Sequence, residues 1–240
     1  MGFQYTYALK ALTFFVVWML LFILRKPNRK PMLIMSVIFA FVGPLVDTVY
    51  TLDWWKPETI TQTMVGPEAI LVGFMIGGIA AVIYEGVFKR KIKVRKTSKI
   101  RKQARNINFL LMIALAGALF FGSFYFLKLN SLIATIIALV IPAAIICIKR
   151  KDLIPDSLVT GVLLVGVAML VYTAVELMTP GWVHAFWYFK NVPDIIILNV
   201  PIDDIIWYFV AGMFVGPLYE YWQEGKLVKQ NNNSKNLKQA

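Results

Sequence analysis

Five acidic residues stand where a carboxylate is expensive: Asp47, Glu68, Glu176, Asp203 and Asp204 fall inside or at the edges of long apolar runs. An ionisable group near hydrocarbon turns toward a bundle interior or a polar cavity, so each is a candidate functional group. Carboxyl groups sharing a dry pocket can keep a proton between them, and a proton held at neutral pH is a general acid. Asp203 and Asp204 are adjacent, and Trp207 and Tyr208 follow on the same helical face. Aromatic rings so placed stabilise a carbocation by about 0.5–2 kcal/mol. Together these residue types could protonate an apolar substrate and shelter the cation that results.

Ordinary readings fit the same residues one at a time. Glu68, Asp203 and Asp204 suit the first turn of a helix, where the macrodipole favours acids. Trp207 suits an interfacial anchor, and Asn199, just ahead of Pro201, suits a loop turn as well as a hydrogen-bonding group near the acids. An internal repeat is what joins them. Sliding the chain by 135 positions sets PEAILVGFMIGGIAAVIYE, ending at Glu85, against IDDIIWYFVAGMFVGPLYE, ending at Glu220. Glu68 then meets Asp203, Phe74 meets Phe209, Gly77 meets Gly212, and Tyr84–Glu85 meets Tyr219–Glu220. Pro67 and Pro201 precede the two acidic starts and fix where each helix begins. The expected catalytic acids are Glu68, Asp203 and Asp204, and the expected substrate contacts are Trp207, Tyr208, Phe74, Asn199, Asp47 and Glu176. Glu85 and Glu220 lie about 25 Å further along their helices and belong to another task.

The elements that must position these residues follow from hydropathy. Of 240 residues, 59% are hydrophobic and the mean hydropathy is +0.67, more apolar surface than one soluble core can bury. Runs long enough to cross ~30 Å of hydrocarbon lie near 5–24, 31–51, 66–88, 107–127, 131–148, 158–178 and 203–223. The first is too long for a signal-peptide core and lacks a basic segment before it, which predicts that it is retained. The formal charge of +12 could suggest nucleic acid, but 21 of the 25 Lys and Arg lie in 25–30, 89–105, 149–151 and the tail from 226. Basic and non-basic connections alternate, which predicts an external N-terminus and a cytoplasmic C-terminus and speaks against a nucleic-acid partner.

The expected fold class is therefore an all-α polytopic membrane protein with seven transmembrane helices in a 3+1+3 parallel repeat. Residues 1–106 form the first three-helix unit with its basic loop, 107–127 the linking helix, 128–226 the second unit, and 227–240 a disordered polar tail. A site between the halves is expected. The two long outer loops carry Trp54, Trp55, Trp182, Phe186, Trp187, Tyr188 and Phe189, which predicts an aromatic belt at the outer interface. The Gly73/Gly77 and Gly212/Gly216 spacings predict close helix packing. Cys147 is the lone cysteine and His184 the lone histidine, so neither a thiolate cluster nor a typical zinc site is available. The segment 203–223 holds no lysine for a retinal Schiff base.

Residues 199–222, NVPIDDIIWYFVAGMFVGPLYEYW, resemble the Pro-x-acid-acid helix start and aromatic continuation of the small membrane-embedded lycopene cyclases, the heterodimeric or fused-domain carotenoid cyclases. VGPEAILVGF, residues 65–74, is similar to a degenerate copy of that motif, with Ala69 in place of a second acid. The resemblance implies a redox-neutral isomerisation of a hydrophobic polyene in the cell membrane. A terminal double bond is protonated, its neighbour attacks the cation, and a proton is lost to leave a ring, with no cofactor and no metal. It further implies that Asp203 and Asp204 are the acidic pair and that Glu68 is the acid of the first motif. Two other readings stay open: a small 3+1+3 transporter, and a non-catalytic lipid- or isoprenoid-binding membrane protein. Association into a homo-oligomer also stays open.

Overall fold

The computed structural model describes residues 3–94 and 98–229, and the chain is mostly helical (74%). In chain order the helices are α1 (Thr6–Leu24), α2 (Arg29–Asp53), α3 (Pro67–Ala80), α4 (Ile83–Val87), α5 (Lys99–Tyr125), α6 (Ser131–Lys149), α7 (Ile154–Met178), α8 (Trp182–Phe186), α9 (Ile202–Val215) and α10 (Leu218–Gln223). Four short strands accompany them: β1 (Arg90–Lys93), β2 (Ile196–Ile197), β3 (Val200–Pro201) and β4 (Lys226–Lys229). Among the described residues six helical stretches are long and apolar enough to cross a membrane, the last being α9 and α10 taken together. Their outward faces present Leu12, Phe41, Leu110, Ile148 and Leu170 to the surroundings, and lipid is the solvent that accepts such a surface.

Local sequence sets the helix ends. Pro67 occupies the first turn of α3 and Pro201 caps α9 with an extended backbone, φ −57° and ψ 142°. Asn130 caps α6 by accepting the Ile133 N–H at 2.8 Å, and Ser98 caps α5. A single 3-10 turn precedes both α2 and α7, Lys26–Asn28 in one case and Lys151–Leu153 in the other.

The expected continuous helix over 66–88 is interrupted. α3 stops at Ala80 and α4 resumes at Ile83, with Val82 at φ −144° and ψ −1°. α9 and α10 part at Gly216 and Pro217, where the proline ring and its missing N–H break the ladder. The two interruptions, at 81–82 and 216–217, stand 135 positions apart. The stretch read as a basic loop over 89–105 also has structure: β1 pairs antiparallel with β4, Ile92 opposite Leu227, and α5 begins at Lys99. Residues 227–229 of the expected tail are therefore strand, while 230–240 lie outside the described residues.

Packing is closest where glycines face backbone. α2 meets α3 at Gly43, where an added Cβ would lie 2.5 Å from the Ala69 carbonyl oxygen. α7 meets α9 at Gly161 and Gly212, where a Cβ on Gly212 would lie 2.7 Å from the Gly161 Cα. Gly77 and Gly216 press instead on the side chains of Phe39 and Thr160. Gly212→Val is accordingly expected to destabilise the protein by about 1–3 kcal/mol or more. Gly122→Val, whose Cβ would meet nothing within 4 Å, is expected to stay within about 0.5 kcal/mol. Thermal melting in detergent separates the two.

Candidate active site

The acidic start of α9 divides its two aspartates between two directions. Asp203, fully buried, accepts the Trp54 indole N–H. Asp204 accepts the Tyr172 hydroxyl proton, and the same hydroxyl oxygen accepts from the Lys10 ammonium at 2.8 Å. Lys10 from α1, Tyr172 from α7 and Asp204 from α9 thus form one chain of charge-assisted hydrogen bonds. On the α2 side, Asp47 accepts the Tyr7 hydroxyl at 2.9 Å.

Lys10 is 4% exposed. Its Nζ lies 4.5 Å from the Tyr172 ring centroid, 4.7 Å from Trp55, 5.5 Å from Trp187 and 5.6 Å from Trp182. These ring faces replace water around the ammonium, by cation–π attraction worth about 2 kcal/mol or more once desolvated. The tryptophans reach it because the two long loops pair with each other. Trp55 and Trp187 form an isolated antiparallel bridge, the Lys56 N–H donates to the Phe186 carbonyl at 2.8 Å, and the Tyr188 N–H donates to the Trp54 carbonyl at 2.9 Å. The expected aromatic belt is therefore not where these residues sit: Trp54, Trp55, Trp182, Phe186 and Trp187 are all buried inside the chain. Burial against a lysine and the helix ends takes more of each ring out of water than a lipid interface would.

Beside this cluster is a cavity of about 270 Å³. Its charged lining groups are Lys10, Asp47 and Asp204, and the remainder is apolar or aromatic apart from a few hydroxyls, with contributions from α1, α2, α3, α5, α6 and α9. Trp207 and Tyr208 both line it. The Trp207 indole N–H donates to the Tyr50 hydroxyl at 3.0 Å, and that oxygen lies 2.9 Å from Thr135 Oγ1. Since the Thr135 hydroxyl donates to the Ser131 carbonyl, Tyr50 is the donor to Thr135 and the polar atoms on this wall are satisfied in sequence. Such a chamber can hold an apolar end group beside two carboxyls while excluding bulk water.

Of the residues expected at the site, Asp47, Asp204, Trp207 and Tyr208 come together on the cavity wall. Glu68 does not line the cavity: its Oε1 accepts the Ile60 N–H at 2.7 Å and ties down the loop before α3. Asp203 lies behind Asp204, held by Trp54. Glu176 accepts the Gly181 N–H at 2.8 Å, closing the turn after α7. Phe74 packs on the Trp18 ring at 5.3 Å. Asn199 has φ 64° in the tight turn between β2 and β3, beside Leu198 at φ 49°, the left-handed pair that a two-residue hairpin demands. His184 is exposed and packs against Phe189. Lys10, Tyr7 and Tyr172 were not singled out in the sequence; a lone lysine inside the first apolar run was the available signal.

Residues 130–222 match the family model for lycopene cyclase, which supports a lycopene cyclase domain family for this chain. The matched region contains α6, α7 and α9, and with them Tyr172, Asp203 and Asp204. No curated protein and no solved structure matches the chain.

Replacing Trp54 by Phe keeps most of the buried ring and removes the donor to Asp203. The orphaned carboxylate is expected to cost about 1–3 kcal/mol in thermal or denaturant unfolding. Trp222→Phe, which removes an exposed hydrogen bond to Asn106, is expected to cost less.

Proposed function

We propose that this chain is a carotenoid-cyclase-like enzyme that isomerises the acyclic end group of a hydrophobic polyene by proton transfer. The observation that carries the reading is Asp204: a carboxyl on the wall of an apolar, aromatic-lined chamber, held by Tyr172, within the region that matches the lycopene cyclase family. With one ammonium against two cavity carboxyls, the chamber is neutral when one of the two carries a proton, and we assign that proton to Asp204. Its delivery to the terminal double bond leaves a tertiary cation. The neighbouring double bond closes the ring on that cation, and loss of a ring proton restores neutrality. Proton gained and proton lost balance, so the product is an isomer and no electrons change hands. Asp47, the second carboxylate of the chamber, is the group we assign to receive the departing proton.

The remaining residues serve this step. Trp207 and Tyr208 face the space where positive charge develops. Lys10, through Tyr172, holds Asp204 in place and balances the one negative charge that the two carboxyls share. Glu68 and Asp203 act as positioning residues, one holding the loop ahead of α3 and the other the Trp54 indole. The chain lies in the membrane as seven crossings in a 3+1+3 parallel repeat, α3 with α4 supplying the crossing that falls short of full length. Its N-terminus is external, so the chamber opens toward the outer leaflet. A polyene longer than the chamber extends its tail between the helices into lipid, which makes the end group the part that is recognised.

Expression in a lycopene-accumulating host, followed by pigment chromatography, tests the reading. Wild type is expected to yield ring-bearing product. Asp204→Asn is expected to lower it by about 100-fold or more, the usual worth of a general acid, while Glu68→Gln retains most of it. Absence of ring-bearing product from well-expressed wild type, or full activity in Asp204→Asn, overturns the reading.

A further inference from the structure

Three carboxylates meet at the other end of the bundle. Glu85 on α4, Asp156 in the first turn of α7 and Glu220 on α10 each place an oxygen within 4.8 Å of the other two. They are 1%, 1% and 0% exposed. The Thr160 hydroxyl donates to Asp156 Oδ1 at 3.0 Å. Glu85 Oε1, Asp156 Oδ2 and both oxygens of Glu220 have no hydrogen-bond partner. Among the described residues none of the three is in an ion pair, the salt bridges being Arg101–Glu224 and Arg150–Asp152. The Arg90 guanidinium lies over the Tyr84 ring at 5.2 Å, and its charge acts on Glu85 and Asp156 without an ion pair.

Three negative charges this close and this dry cannot stand uncompensated. Glu220, fully buried, with neither oxygen in a hydrogen bond and one of them within the cluster, points to a missing positive partner rather than to an incidental acidic patch. Its placement is built into the fold. Glu85 and Glu220 are each the third residue of the short helix that follows a chain interruption, 135 positions apart, and the close contact of Gly161 with Gly212 brings Asp156 beside Glu220. Carboxylate oxygens alone, without sulfur or imidazole, favour a hard cation.

We propose that Glu85, Asp156 and Glu220 bind a hard divalent cation, which clamps α4 and α10 onto the start of α7. The proposal does not depend on the cyclase reading. It assigns the cation a structural place remote from the polyene chamber, joining the ends of the two repeated segments where β1 and β4 close over them.

The full-length protein, purified in detergent and stripped with EDTA, is titrated with Mn²⁺ alone while free Mn²⁺ is followed by paramagnetic resonance. Saturable binding of a single ion per chain is expected, with Ca²⁺ competing and with a rise in melting temperature. Glu220→Gln and Asp156→Asn, each losing one anionic ligand, are expected to weaken it by about tenfold or more. Glu58→Gln, at an exposed acid, leaves it unchanged. Two variants are used so that binding can still be read if one fails to fold. No saturable binding by wild type, or equal binding by wild type and either folded variant of the cluster, overturns the proposal.

Discussion

A lysine ammonium buried among aromatic rings, with carboxylates from two other helices facing it, sets terms that much of this structure answers. Lys10 has given up nearly all its water, and an unpaired charge in that position would cost more than a fold of this size has to spare. Tyr172 supplies the hydrogen bond, the Asp47 and Asp204 carboxyls of the same chamber the opposing polar groups, and three tryptophans the ring faces. Removing any one of these exposes the others to an uncompensated environment. The cluster therefore holds α1, α2, α7 and α9 in one relative arrangement, and the apolar chamber beside it inherits that geometry.

Closure from above comes from loops rather than helices. The segments around Trp55 and Trp187 bond to each other along their backbones, so each brings its rings inward while pairing backbone N–H and carbonyl groups. Glu68 and Glu176 serve the same end by accepting loop N–H groups. Acids near a membrane surface are thus divided by use. Those that accept loop amides fix the cover, while Asp47 and Asp204 remain on the chamber wall.

The repeat shapes both ends of the molecule in different ways. At the chamber end the related helix starts have diverged: Glu68 secures a loop while Asp203 and Asp204 hold Trp54 and Tyr172. At the other end the related segments keep a common form, an interrupted helix followed by a short turn carrying Tyr and Glu. Divergence at one end and likeness at the other give two separate carboxylate clusters, one beside an apolar chamber and one closed in on itself.

The amino-acid sequence determined what depends on neighbours along the chain. The apolar stretches, the proline-set starts of α3 and α9, the close-packing glycines and the 135-residue repeat are all patterns of spacing, and spacing alone carries them. Asp204, Trp207 and Tyr208 were legible as a set because a helix turns them to one face. Tertiary structure decided which acid faces the chamber, because adjacent Asp203 and Asp204 point in directions that only the packing partners distinguish. It also decided that Glu68 turns to Ile60, that the loop tryptophans surround Lys10 rather than lie in lipid, and that Lys10 and Tyr172, 162 positions apart, share a hydrogen bond. These contacts depend on helix rotation and on the pairing of two distant loops, and neither leaves a local pattern in the chain.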